Sequence, residues 1–162
     1  MTSANTANAT SARRAPRSLR RLLTDEDLAR IAAAVEEAET ATSGELRVHL
    51  ISRLLPLENP RRRAIREFFR LGMDRTREGT GVLLFFAVRS ARFEIVADRT
   101  IDERVGHDAW ERLAAGITDV IHEDGLAAGL EHAVRQVGRF LSEHFPIRPD
   151  DVDELPNEVS FG

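Results

Sequence analysis

The chain has 162 residues, a length typical of one domain, and its 42% hydrophobic and 31% charged residues are typical of a folded protein. It contains no cysteine and no lysine, which excludes disulfides, thiolate chemistry, cysteine zinc sites, Schiff bases and lysine-dependent phosphate loops. The net charge of −4 is mildly acidic, and we therefore expect no binding to nucleic acid.

Residues 1–23 contain five arginines and no acidic residue. We interpret them as a disordered, arginine-bearing tail, with contact to anionic lipid or RNA as an alternative. The start of the chain is polar and shows no secretory signal, so we predict a cytoplasmic protein without a membrane span. An organellar transit peptide is the alternative interpretation of this Arg- and Ser-rich start.

The first ordered elements are predicted to be a helix and a strand. Thr24 is a suitable N-cap, and the acidic first turn Asp25–Asp27 complements the positive end of a helix. Apolar residues follow at helical spacing, and the helix is expected to end between Thr40 and Gly44. Residues 45–51 alternate and then become continuously apolar, which predicts a strand.

A second helix is predicted to begin at Asn59-Pro60, a cap followed by a first-turn proline, and to end at Gly72. Ile65, Phe68 and Phe69 lie at helical spacing within it. We therefore expect these three side chains to form its buried stripe.

The second half of the chain predicts two strands followed by two helices. Residues 82–88 are apolar on both faces, as in the middle of a covered sheet, and pair as a hairpin with residues 92–97. Residues 98–104 then lead to a helix that carries Val105, Ala109, Leu113 and Ile117 at helical spacing. A longer helix is predicted to begin at Asp124-Gly125 and to stop at Phe145-Pro146. Residues 147–162 are acidic and are interpreted as a flexible tail.

This order of elements brings three polar segments to one edge of the sheet. The strands that begin at residues 45 and 81 are joined through a helix, so they should run parallel in a right-handed crossover, whereas the strand at 92–97 runs antiparallel to its hairpin partner. Residues 43–45, 74–80 and 98–103 are then expected to converge.

Several short motifs carry a family resemblance. They are Ser43–Val48, the Thr76 loop leading to Gly81–Leu84, Ala97–Arg99, Val105-Gly106, Trp110, Gly125, Gly129, Val137-Gly138 and His144–Pro146. Their order and spacing resemble the TPM domain family over residues 24–146. The family includes plant thylakoid proteins of photosystem II repair, an animal accessory protein of acetylcholine receptors and many bacterial proteins. This chain resembles the short bacterial type without a membrane anchor.

The resemblance implies an α/β fold: a three-layer α/β/α sandwich with a small mixed sheet, a parallel crossover plus an antiparallel hairpin, flanked by about four helices. It also implies divalent cation binding and, for some members, acid phosphatase activity. Two departures from the family pattern stand out, Thr80 where Asn is common and Thr100 where Gly is common. If the backbone at residue 100 required a positive φ, Thr100 would have to build that loop differently.

Hard cations prefer oxygen ligands, and carboxylates lie on each segment of the predicted edge. We predict Glu45, Asp98, Asp102 and Glu103 as ligands of Ca²⁺ or Mg²⁺. Asp98 is the strongest candidate, because a carboxylate at the end of a buried strand needs a partner. Asp102 and Glu103 could instead only cap a helix.

A phosphate could be held at the same edge by Arg75, Arg77 and Arg99, with Thr76 as a hydroxyl ligand or a turn former. Hydrolysis would use a metal-bound water, with Asp98 as the catalytic carboxylate that places the metal or takes the proton. No nucleophile motif of a known phosphatase class is recognisable.

Three functions remain open from the sequence. The first is a cation-binding accessory or interaction module with a protein partner in a membrane-associated complex, in membrane-protein assembly or repair. The second is a metal-dependent phosphomonoesterase. The third is a structural domain without a ligand.

Overall fold

The structure of the protein is a computed structural model that describes residues 14–162. Its helices are α1 (Asp25–Glu39), α2 (Pro60–Arg70), α3 (Arg99–Val105), α4 (His107–Asp124) and α5 (Leu126–His144). Its strands are β1 (Glu45–Ile51), β2 (Gly81–Ala87), β3 (Arg92–Ala97) and β4 (Ser160–Phe161). The helices α3 and α4 are separate because Gly106, with φ of 84°, departs from the helical backbone conformation between them.

The four strands form one sheet in the order β3-β2-β1-β4. β1 and β2 run parallel, with Glu45 opposite Gly81, and β2 and β3 run antiparallel. The predicted crossover and hairpin are therefore confirmed. β4, which the sequence did not predict, lies parallel to β1 at its other side.

Helices cover both faces of the sheet, which confirms the α/β/α sandwich. Apolar side chains from α1, α4 and α5 pack on one face, against residues such as Leu84 and Phe86 of β2. The opposite face, with Leu83 and Phe85, is covered by α2 through Ala64 and Phe68. Alternation along β2 sends successive side chains into the two cores, which explains why the whole strand is apolar.

The predicted buried stripe of α2 is wrong in two of its three residues. Phe68 is buried, but Ile65 is 37% exposed and Phe69 is 57% exposed. The face that contacts the sheet contains Ala64, Glu67 and Phe68, and the next residue in a helix points about 100° away. Since α2 is the helix of this layer, its outer face is left to solvent.

The ordered fold extends beyond the predicted limits of 24–146. Leu19 and Leu23 are buried in the core with α1, so residues 14–23 are part of the domain. Residues 147–162 also lie against the domain, because β4 pairs with β1 and the backbone amides of Glu154 and Leu155 donate to Glu45. Residues 1–13 of the predicted tail lie outside the described residues.

His49 fixes β4 to the sheet. The Ser160 hydroxyl oxygen lies 3.1 Å from the carbonyl oxygen of Val48 and 2.8 Å from Nδ1 of His49, so the first residue of β4 is hydrogen-bonded to two residues of β1. Nε2 of the same ring lies 3.7 Å from the Glu67 carboxylate. Burial lowers the pKa of His49 to about 4, which keeps the imidazole neutral at physiological pH.

We expect the His49 contribution to stability to be complete above pH 6.5 and to be lost as the pH falls toward 4, because the unfolded state binds a proton that the folded state does not. Urea denaturation of wild type and His49→Gln at pH 7 and pH 5 measures it. The free energy of unfolding of the wild type should fall more between these pH values than that of the variant. An equal fall would show that His49 is not the group responsible.

Candidate functional site

The three segments expected at one edge of the sheet do meet there. The backbone amide of Glu45 donates to the carbonyl of Thr80 (2.9 Å), and the Thr80 hydroxyl donates to the carbonyl of Ser43 (3.2 Å). The backbone amide of Asp98 donates to the carbonyl of Gly81 (2.8 Å). The backbone arrangement deduced from topology is therefore present. The directions of the side chains then decide which of them can share a ligand.

Asp98 and its neighbours serve the start of α3. The Asp98 carboxylate accepts the backbone amide of Arg99 (2.6 Å) as the N-cap, and the guanidinium of Arg99 pairs with Glu103 (2.6 Å). Asp102 and Glu103 are exposed. Within residues 14–162, Asp98, Asp102 and Glu103 join no group of three potential ligands, with Glu45 or with one another. The partner that the Asp98 carboxylate requires is thus a helix amide.

The residues predicted to hold phosphate are also engaged in the fold or exposed. Thr76 is buried, and its hydroxyl accepts the backbone amide of Thr80 (3.0 Å), which makes it a turn former. The amide of Arg77 donates to the Glu154 carboxylate (2.9 Å), so this loop is attached to the C-terminal segment. Arg75 is exposed on the same loop.

A cavity of about 790 Å³ lies beside this edge, between the Thr76 loop and the segment that follows α5. Its charged side chains are largely paired within the protein: Arg148 forms an ion pair with Glu78, and the guanidinium of Arg104 lies 5.0 Å from the centre of the Phe145 ring. The first contact joins the loop to the segment after α5, and the second joins α3 to Phe145 at the end of α5.

The side chain of Glu45 points instead toward Glu39 and Asp153. Glu39 is the last residue of α1, Glu45 is the first residue of β1, and Asp153 lies in the segment after α5. One carboxylate oxygen from each lies within 4.8 Å of the other two, and in the part of the chain that the structure describes this is the one such group of three. The end of α1, the start of β1 and the distant segment after α5 thus place three acids around one point.

Backbone amides hold two of these carboxylates in place. Oε1 of Glu39 accepts the amide of Leu46 (2.9 Å). Glu45 accepts the amide of Glu154 on Oε1 (3.0 Å) and that of Leu155 on Oε2 (3.2 Å). These hydrogen bonds orient the carboxylates while leaving lone pairs for a ligand.

Further oxygens line the small cavity of about 220 Å³ at this cluster. Three buried oxygens there have no hydrogen-bond partner in the described structure: Oε2 of Glu39, Oδ2 of Asp151 and Oδ1 of Asn157. The amide nitrogen of Asn157 donates to Asp153 (3.1 Å), which turns its oxygen away from that contact. Buried acceptors without donors are rare in folded proteins and call for an explanation such as an ion.

The electrostatics of the cluster favour a positive ligand. Burial raises the pKa of Glu39 to about 8, and the negative charges of Glu45 and Asp153 add to that effect. Burial raises the pKa of Glu45 to about 7, despite the amide of Glu154. A bound cation would offset both the burial of these carboxylates and the repulsion between them, because its positive charge would take the place of the protons. We define Glu39, Glu45, Asp151, Asp153 and Asn157 as the oxygen cluster.

Comparison with known proteins agrees with the sequence resemblance. The family model of the TPM domain matches residues 18–140, most of the chain. The chain belongs to the TPM domain family. The solved structures similar to this TPM domain include the NMR structure of BA42 from the psychrophilic bacterium Bizionia argentinensis, with 36% sequence identity and a TM-score of 0.80. The alignment covers 86% of this chain and 95% of BA42. The comparison with curated proteins found no match.

None of the helices within residues 14–162 of this TPM domain combines the length and the hydrophobicity that a membrane span requires. The departure from the family pattern at Thr100 needs no unusual backbone, because Thr100 lies in α3 and has no positive φ. Thr100 packs against Gly79 of the loop at residues 74–80, which has a φ of 67°, and a Cβ at Gly79 would lie 2.9 Å from the Thr100 hydroxyl.

Sequence reasoning identified one member of the oxygen cluster and missed the others. Glu39 reads as an ordinary helix residue, and the C-terminal members were assigned to a flexible tail. Their spacing is the signal that could have found them, since Asp151, Asp153 and Asn157 put three oxygen side chains within seven residues.

Proposed function

We propose that this TPM domain binds a divalent cation through the carboxylates of Glu39, Glu45 and Asp153, and that it acts as an accessory or interaction module. The observation that carries the proposal is the approach of these three oxygens to within 4.8 Å beside buried oxygens that have no partner. The predicted cation is retained from the sequence, but its ligands are reassigned from the Asp98 side of the edge to the oxygen cluster.

The composition of the cluster favours Ca²⁺ over Mg²⁺. All its donors are oxygens, and five side chains with several carboxylates suit the six to eight ligands of Ca²⁺. Mg²⁺ usually keeps several waters and uses one or two carboxylates in a strict octahedron. We expect Ca²⁺ to bind more tightly than Mg²⁺.

An accessory function follows from what the cation would join. Its ligands come from α1, β1 and the C-terminal segment, so binding would fix that segment on the domain and shape the surface around it. We propose a protein partner in a membrane-associated complex, in keeping with the accessory members of the family. Phosphomonoester hydrolysis receives less support, because the Asp98 carboxylate already caps a helix and the Arg99 guanidinium is already paired with Glu103.

Titration calorimetry with CaCl₂ and MgCl₂ tests the ligand assignment. Glu45→Gln and Asp153→Asn keep the side-chain shape but remove a ligand charge, and each should weaken Ca²⁺ binding by more than about tenfold. Asp98→Asn is the matched control, with the same loss of one charge, and should bind Ca²⁺ like the wild type. If Asp98→Asn lost Ca²⁺ binding while Glu45→Gln and Asp153→Asn kept it, the cation site would instead have to be assigned to Asp98 and its neighbours.

The hydrolase alternative is tested in the same samples with an aryl phosphate. We expect no turnover above that of a boiled sample. Turnover that requires Ca²⁺ or Mg²⁺ and is abolished by Asp98→Asn would contradict the proposal and favour the enzyme.

A further inference from the structure

The chain segment 53–70, which contains α2, is strongly basic, as is the N-terminal segment 1–23, in a protein whose net charge is acidic. It carries six arginines and two glutamates, a balance of +4 in a chain of net −4. The two glutamates are largely buried, with side-chain exposures of 13% for Glu58 and 4% for Glu67, whereas the side chain of Arg66 is 63% exposed. Glu58 pairs with Arg63 and Arg66, and Glu67 pairs with Arg63 and Arg70. Because the segment has four more arginines than glutamates, the charge that it presents to solvent remains net positive.

The same surface exposes large apolar side chains. Of the seven exposed large hydrophobic residues in the described chain, four lie in this segment: Leu55, Leu57, Ile65 and Phe69, at 67%, 106%, 37% and 57%. On α2 the spacing of Ile65 and Phe69 places them on one face, with Arg62 and Arg66 beside them. We define Leu55, Leu57, Arg62, Ile65, Arg66 and Phe69 as the α2 outer surface.

The loop before α2 holds Leu57 out from the protein. Its backbone adopts a φ of 62°, a region that leucine rarely occupies. The turn is maintained by Glu58, whose amide donates to the carbonyl of Leu55 (3.1 Å) and whose carboxylate accepts the amide of Leu55 (2.9 Å). This hydrogen-bonded turn thus keeps the apolar side chain of Leu57 fully exposed to solvent.

We propose that the α2 outer surface docks on an anionic lipid bilayer. Arginines pair with lipid phosphates and anionic headgroups, while neighbouring leucine, isoleucine and phenylalanine side chains enter the boundary of the acyl region. Outside residues 53–70 the chain has a net charge of −8, so an anionic membrane attracts this surface and repels most of the remainder, which orients the protein.

A bilayer fits this surface better than an acidic protein does. The four apolar side chains protrude and do not line either of the two cavities at the sheet edge. A protein partner usually buries such anchors in pockets on a complementary surface, whereas a soft lipid interface accepts protruding side chains directly. The proposal is independent of the cation site.

Co-sedimentation with vesicles tests the proposal. The full chain is mixed, in EDTA, with vesicles of pure phosphatidylcholine or of phosphatidylcholine with about a third phosphatidylserine, the type of lipid that gives membranes a negative surface potential. We expect binding to the anionic vesicles only. Arg62→Gln/Arg66→Gln should reduce the partition coefficient by about tenfold or more, since each basic residue near the surface contributes about 1 kcal/mol.

Two charge-matched controls separate this surface from general attraction. Arg112→Gln/Arg139→Gln changes exposed arginines of α4 and α5, in the opposite layer, and Arg13→Gln/Arg14→Gln changes the N-terminal segment. Both controls should bind nearly as the wild type does. The apolar component is tested by Leu57→Asn/Phe69→Gln, in which asparagine suits the positive φ, and this variant should also lose binding.

Circular dichroism of every variant confirms that it is folded before binding is compared. The proposal is overturned if the wild type does not bind anionic vesicles, or if either control loses as much binding as the α2 variants. A polyglutamate peptide serves as a substitute for an acidic protein partner. The proposal is also overturned if the wild type binds this peptide but not the vesicles, and if the α2 variants weaken that binding, because the partner would then be an acidic protein.

Discussion

Calcium is expected to raise the melting temperature of the protein by about 5–10 °C at pH 8, at a Ca²⁺ concentration about 100-fold above the dissociation constant. At pH 5.5 the increase should be much smaller. The reason lies in the two buried glutamates of the oxygen cluster, since the pKa of Glu39 is raised to about 8 and that of Glu45 to about 7. At pH 5.5 both carry protons that a cation must displace.

Without a cation, the protein should become less stable as the pH rises. Between pH 4.5 and 8 the folded state retains protons on Glu39 and Glu45 that the unfolded state has released, so the free energy of unfolding falls as the pH rises. Differential scanning calorimetry in EDTA and in CaCl₂ at pH 5.5, 6.5 and 8 measures both effects. Glu39→Gln should flatten the decline in EDTA, because it removes the group with the larger shift.

If calcium raised the melting temperature equally at pH 5.5 and pH 8, the cation would bind where no proton competes with it. That result would exclude the oxygen cluster as the site. His49 contributes the opposite pH dependence, and its separate variant keeps the two effects apart.

Gly81→Ala should lower the free energy of unfolding by about 2–3 kcal/mol, at the upper end of the cost of overpacking. Gly81 starts β2, opposite Glu45 of β1, and a Cβ at this position would lie 2.5 Å from the carbonyl oxygen of Met73. The obstacle is backbone in a loop that the sheet holds in place, so it cannot move aside as a flexible side chain would. Urea denaturation followed by circular dichroism measures the loss.

Gly116→Ala is the matched control for this substitution. Gly116 lies in the exposed part of α4, and a Cβ there would have no atom within 4 Å. Because alanine favours the helix over glycine, stability should rise by about 0.5–1 kcal/mol. A similar loss in both variants would show that the close approach of the Met73 carbonyl is not what requires glycine at 81.

The sequence was sufficient for the backbone arrangement because that arrangement follows from strong local patterns. The uninterrupted apolar run of β2 required helices on both faces, and the helix between β1 and β2 required a parallel crossover. Thr24 caps α1 as predicted, accepting the amide of Asp27 while Asp27 accepts that of Thr24. From these rules the meeting of Ser43, Thr80 and Asp98 at one edge could be deduced.

Side-chain direction could not be deduced in the same way. Topology fixes that Glu45 starts a strand at this edge, but whether its carboxylate faces Asp98 or Glu39 depends on the pleat and on the amides of Glu154 and Leu155. Those amides belong to a segment without periodicity, which pairs with the sheet only through the two residues of β4. The outward direction of Phe69 was missed for a related reason, since Phe68 beside it satisfies the same apolar pattern.

The most direct measurement of the cation assignment is X-ray diffraction from crystals grown with CaCl₂, with anomalous scattering used to locate calcium. A cation held by the oxygen cluster should give a peak between Glu39, Glu45 and Asp153, with carboxylate oxygens at about 2.3–2.6 Å from it. A peak at Asp98, Asp102 and Glu103, or a fully ordered oxygen cluster that holds only water at saturating calcium, would contradict it.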